Sequence, residues 1–158
     1  MINFALLRKL DQLISRVMSR ISRPAIRLSF AIVFIWFGIL KPLGYSSAES
    51  LLKSTVAWLP FGSPDLWLDL IGWWEVLIGV CFLFPKTTRI AIGLMLIQMV
   101  GTFMPLVFLP SVTWQLGNPL LPTLEGQYII KNLVIIAAAL VLGGEVRERS
   151  DSLETKAS

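Results

Sequence analysis

The sequence predicts an all-α membrane protein, a four-transmembrane-helix bundle with an N-terminal cytoplasmic amphipathic helix, and three observations carry that prediction. Of 158 residues, 55% are hydrophobic and only 15% charged, a balance too apolar for an ordinary soluble domain of this length. A spanning helix needs about 20 predominantly apolar residues, and four stretches qualify, at roughly 27–45, 66–84, 89–109 and 126–144. The connections between them are short enough for one unit. The basic residues, finally, alternate with the spans. Arg8, Lys9, Arg16, Arg20, Arg23 and Arg27 precede the first, Lys86 and Arg89 separate the second from the third, and Arg147, Arg149 and Lys156 follow the fourth. Only Lys53 and the boundary residue Lys41 fall on the other side. The positive-inside rule then places both termini in the cytoplasm. It also explains the net charge of +4 without a nucleic-acid partner.

The elements follow in order. In residues 1–24, Leu7, Leu10, Ile14, Val17 and Ile21 recur at three- and four-residue steps while Arg16, Arg20 and Arg23 fall largely off that stripe, which predicts an amphipathic helix. Its cationic face suits anionic headgroups, with Pro24 turning the chain inward. A partner protein is the alternative target for that face. A cleaved signal peptide fits poorly, because charge interrupts the apolar run and no A-x-A-like site follows.

Residues 25–145 form the expected membrane domain. After its first span, Ser46 and Glu49 have the S-x-x-E spacing of a helix start, and Pro60, Gly62 and Pro64 end that segment. A short helix outside the membrane is expected, with Leu51, Leu52, Val56, Trp58 and Leu59 covering the bundle or dipping into the interface. Between the third and fourth spans, Pro105, Pro110, Pro119 and Pro122 forbid one continuous helix. That uncharged segment is expected to fold onto the periplasmic mouth, as a lid or as a packed structural loop. The polar tail, residues 146–158, is expected to fray.

Histidine is absent and Cys81 is the only cysteine. These counts exclude a disulfide within the chain, histidine-ligated haem and a cysteine–histidine metal cluster. No metal-held or covalently bound cofactor is expected, while non-covalent binding of a quinone or lipid stays open. Cys81 reads as a small buried hydrophobe. The six tryptophans read chiefly as an interfacial belt, although Trp73 and Trp74, just before Glu75, also suit the walls of an aromatic pocket.

Each span contributes polar groups. A charge near a helix centre costs about 2.5–3.5 kcal/mol on the insertion scale, so Glu75 and Lys131 are expected to face protein, water or each other. Counted at about 1.5 Å per residue, both lie in the periplasmic half of their spans, together with Lys41, Gln98 and Thr102. Gly72, Glu75 and Gly79 share one stripe, where small residues let a neighbouring backbone approach. The expected core is a Glu75–Lys131 ion pair, with Lys41, Gln98, Thr102 and Asn132 as further donors or acceptors. Such a pair serves either to fix helix register and orientation or to bind a ligand or move a proton.

The segments "RLSFAIVFIWFGILKPLGY", "LIGWWEVLIGVCFLFPKTTRIAIGLMLIQMVGTFMPLVFLP" and "LEGQYIIKNLVIIAAALVLGG" resemble the DoxX-like bacterial membrane proteins, particularly the branch containing YkgB. The marks are Trp36, Gly38 and Lys41 on the first span, Glu75 and Gly79 on the second, and Lys131 and Asn132 on the fourth. Asn132 stands where relatives often carry an acid. The resemblance implies a four-helix protein of the bacterial cytoplasmic (inner) membrane. Some relatives are associated with quinone-linked sulfur oxidation, oxidative-stress complexes or resistance to reactive chlorine.

Three functions compete. The favoured one is a non-catalytic accessory subunit of a larger membrane complex, redox or quinone-linked, assembled through apolar faces with a protein partner or as a homo-oligomer. The second is an oxidoreductase or stress-resistance protein that binds a quinone or another small amphipathic ligand in a periplasm-facing polar pocket, in which Lys41 or Lys131 donates to a carbonyl, Glu75 relays a proton and Trp73 or Trp74 packs on the ring. The third is a small transporter, against which the apolar cytoplasmic half of the spans argues.

Overall fold

The computed structural model describes the backbone of residues 4–157 and the side chains of residues 7–144. Among the described residues seven α-helices follow one another: α1 Phe4–Ile39, α2 Glu49–Val56, α3 Pro64–Leu83, α4 Thr88–Phe103, α5 Pro105–Phe108, α6 Pro110–Thr113 and α7 Leu124–Ala157. The segments Leu7–Ile39, Pro64–Leu83, Pro85–Phe108 and Leu124–Gly144 are long and apolar enough to cross a membrane, as a multi-pass membrane protein requires. They pack in a ring, α1 chiefly against α3, α3 against α4, α4 against α7, and α7 back against α1.

Two expectations fail on helix continuity. Pro24 does not end a separate surface helix, because α1 runs through it to Ile39. Proline deprives the helix of one N–H donor and crowds the preceding turn; here the segment beyond it is anchored on α3 through Arg27. The residues after Gly144 do not leave the helix either, since α7 continues to Ala157. No proline or glycine interrupts 145–157, so local propensity offers no stop signal. The side chains of Arg147, Arg149 and Lys156 lie outside the described residues.

Local chemistry accounts for the helix ends. The Ser63 hydroxyl accepts the Leu66 N–H at 3.1 Å, Pro64 opens α3 and Asp65 sits in its first turn, the arrangement that satisfies free N–H groups and complements the helix dipole. At the far end, Arg27 donates through Nε to the Phe82 carbonyl at 3.1 Å and through Nη2 to that of Leu83 at 2.6 Å. Thr87 Oγ1 donates to the carbonyl of Cys81 at 2.6 Å, and the Thr87 N–H to that of Phe84 at 3.2 Å. The carbonyls that close α3 are thereby partnered. The Ser46–Glu49 capping box does not form. Ser46 Oγ accepts the Ala48 N–H at 3.3 Å, while Glu49 pairs with Lys53 at 2.6 Å.

The apolar core lies toward the Arg27 end of the bundle. Phe30 and Phe34 of α1, Ile78 and Phe82 of α3, Met95 of α4 and Leu142 of α7 meet there, and the Phe30 and Phe82 rings sit 4.9 Å apart. The opposite end is closed by the proline-rich segment, which is folded. Trp114 Nε1 donates to the Leu106 carbonyl at 2.9 Å, Thr123 Oγ1 donates to that of Val112 at 2.7 Å, and Trp58 stacks on Phe108 at 5.8 Å. Buried Thr113 lies against Gly126, where any Cβ would fall 2.2 Å from the Thr113 carbonyl oxygen.

Candidate functional site

The most closely packed pair of spans positions the site. A Cβ on Gly38 would come within 2.8 Å of the Gly72 carbonyl oxygen and 2.9 Å of the Val76 nitrogen. On Gly72 it would meet the Gly38 carbonyl oxygen at 2.8 Å, and on Gly79 the Ile35 nitrogen at 2.8 Å. The small-residue stripe of the second span therefore does admit a neighbouring backbone, and that neighbour is α1. Close approach also has a consequence for Lys41, which follows the last turn of α1. With its Cβ beside Gly72, its side chain is directed along α3 toward Glu75.

Lys41 Nζ forms an ion pair with Glu75 Oε2 and also donates to the Phe37 carbonyl at 3.3 Å. Gln98 Nε2 of α4 donates to the other carboxylate oxygen, Oε1, at 3.1 Å. The Lys41 and Glu75 side chains are 8% and 14% exposed. One carboxylate thus joins α1, α3 and α4, with each oxygen occupied. The ammonium also lies at the carboxyl end of α1, where the helix dipole favours a cation. Thr102, one turn above Gln98, donates to the Gln98 carbonyl at 3.1 Å and extends the same polar face.

The expected Glu75–Lys131 pair is not formed. Lys131 is exposed on α7, its ammonium 5.0 Å from the centre of the Tyr128 ring, and Lys41 holds the place assigned to it. Position along the span allowed either cation, but α3 packs chiefly against α1 and α4. Asn132 stays on its own helix, donating to the carbonyls of Tyr128 and Ile129 at 3.1 and 3.0 Å. Trp73 is 56% exposed, and Trp74 is half-buried against the apolar core. Of the eight residues singled out, Lys41, Glu75, Gln98 and Thr102 come together, and Trp73, Trp74, Lys131 and Asn132 stand apart.

One residue gains a role that the sequence pattern did not assign, and a second acid stands unmatched. Arg27, a topology charge by its position before the first span, caps α3; nothing in a single helix's pattern announces a cap donated from 55 positions away. Asp69 is a second acid within the apolar second span, exposed and without an ion pair or hydrogen bond among the described residues. Its presence in that span is the available signal.

The trio's chemistry is that of a closed clamp. Among the described residues no buried side-chain nitrogen or oxygen lacks a partner, and the Lys41 ammonium balances the Glu75 carboxylate. Taking one partner away would strand the other in the bundle interior, which costs about 3–5 kcal/mol. Comparison with protein-family models, curated proteins and solved structures yields no match for the chain.

Proposed function

We propose that this chain is a small accessory subunit of a larger membrane complex, DoxX-like in architecture, with no redox centre of its own. The observation that supports this reading is the closed Lys41–Glu75–Gln98 clamp, which uses its charges to lock three spans together. A quinone carbonyl could take a hydrogen bond from Lys41 only by competing with Glu75 and the end of α1 for the same ammonium. A buried ion pair that fixes helix register needs no ligand. What remains for function is the outer surface, where large apolar side chains line every span.

In the proposed setting the chain sits in a bacterial inner membrane with both termini cytoplasmic and the clamp in the outer half of the bilayer. The arginines of α1 and the charges flanking the α3–α4 connection support that orientation. Purification from the native membrane in lipid nanodiscs, with mass spectrometry of proteins and lipids, tests the reading. The expected result is a partner protein in fixed stoichiometry that Glu75→Gln leaves bound. A solitary chain that retains a quinone, and loses it with Glu75→Gln, overturns the proposal.

A further inference from the structure

Beyond the clamp, the described part of the spans carries another pair of opposite charges. Asp69 on α3 and Lys131 on α7 are both exposed, and neither has an ion-pair partner among the described residues. Their levels can be compared through contacts between helices. Gln98 meets Glu75, which puts α3 and α4 in register at that height, and Asp69 lies six residues earlier in α3, about 9 Å up. A Cβ on Gly143 of α7 would touch Ile92 of α4 at 3.4 Å. Ile92 is six residues below Gln98, and Lys131 is twelve residues above Gly143. The difference again places Lys131 about 9 Å above the clamp.

The two unpaired charges therefore occupy one layer of the bundle, on helices that make no extensive contact with each other. We infer that Asp69 of one copy pairs with Lys131 of a second copy, so that copies of this chain associate side by side in the membrane through their α3 and α7 faces. Rotation about an axis normal to the bilayer keeps both copies in one orientation and at one depth, which the shared layer requires. The surroundings suit a helix–helix contact. Leu66, Leu70 and Trp73 flank Asp69 on α3, Tyr128 and Val134 flank Lys131 on α7, and all five are exposed. A lipid phosphate would answer Lys131 alone and repel Asp69. Neighbouring copies, one on the α3 face and one on the α7 face, answer both.

The association holds whether or not a larger complex is joined, so its test needs only the full chain in vesicles. Copies carrying donor and acceptor fluorophores at the C-terminus would be reconstituted in phosphatidylcholine vesicles at high lipid dilution, and energy transfer compared with random proximity. Wild type should transfer above that level. Asp69→Lys alone and Lys131→Asp alone should each self-associate about tenfold more weakly, the scale of one membrane-buried polar contact. A mixture of those two variants should regain transfer, because Lys at 69 then meets Asp at 131. This cross-mixing also shows that both variants remain folded, and the milder Asp69→Asn and Lys131→Gln should weaken association without requiring a new partner.

Wild-type transfer at the random level overturns the inference, as do single swaps that leave transfer unchanged. So does a solitary chain whose Lys131 governs retention of anionic lipid. Capture of a different protein from the native membrane bears on the accessory-subunit reading, and vesicle transfer bears on this one.

Discussion

Two pairs of charges in this bundle have opposite fates. Lys41 and Glu75 are buried, matched and tied to three helices; Asp69 and Lys131, about two turns higher, are exposed and unmatched among the described residues. The difference follows from packing. Gly38, Gly72 and Gly79 bring the backbones of α1 and α3 close, which sets Lys41 beside the carboxylate, whereas α7 lies across the ring from α3. Charge burial thus depends on which helices become neighbours, more than on where a charge falls in its span.

The comparison breaks most sharply at Lys41. Replacing it with methionine should destabilise the detergent-solubilised protein by about 3–5 kcal/mol, because Glu75 is left buried without its counter-charge; urea or thermal unfolding followed by circular dichroism measures this. Gly38→Val should cost about 1–3 kcal/mol by forcing a side chain into the Gly72 carbonyl and Val76 nitrogen, read in the same way. Lys131→Met sharpens the contrast from the other side. In the isolated monomer its effect should stay within about 0.5 kcal/mol, as for an exposed position.

The smallest effect belongs to the charges outside the spans. Lys53 of α2 pairs with both Asp65 and Glu49 at 2.6 Å, and these bonds, Asp65 first, raise its pKa above the ordinary lysine value. A raised folded-state pKa stabilises fully below the unfolded lysine value of about 10.4 and is lost as pH climbs through the higher folded one. Between about pH 6 and 9, well below the ordinary lysine range, wild type and Asp65→Asn should therefore differ by a constant small amount, and wild type should lose that margin only in strong alkali. A melting-temperature series across pH checks both statements.

Much of this arrangement is legible in the amino-acid sequence. The four spans follow from apolar length, the helix before α3 from its turn residues, and the Glu75–Gln98 meeting from depth and helix face. The glycine stripe announces a close neighbour without naming it. Lys41 and Lys131 cannot be ranked as partners of Glu75 from sequence, because position along a span leaves helix order around the ring undetermined. Pro24 looks like a boundary because local sterics favour a break there, yet α1 continues through it. The Arg27 cap depends on two helix ends meeting in space, which periodicity within either helix does not record.

Whether Lys41 and Glu75 act together as a structural clamp is decided by a double-substitution cycle. Unfolding free energies would be measured for wild type, Lys41→Met, Glu75→Leu and the double variant in the same detergent. Each single substitution is expected to be strongly destabilising and the double variant to recover most of the loss, since a buried pair can be exchanged for packed apolar side chains at little cost. If the single substitutions leave stability unchanged, or if their costs simply add in the double variant, the two residues do not act as a clamp.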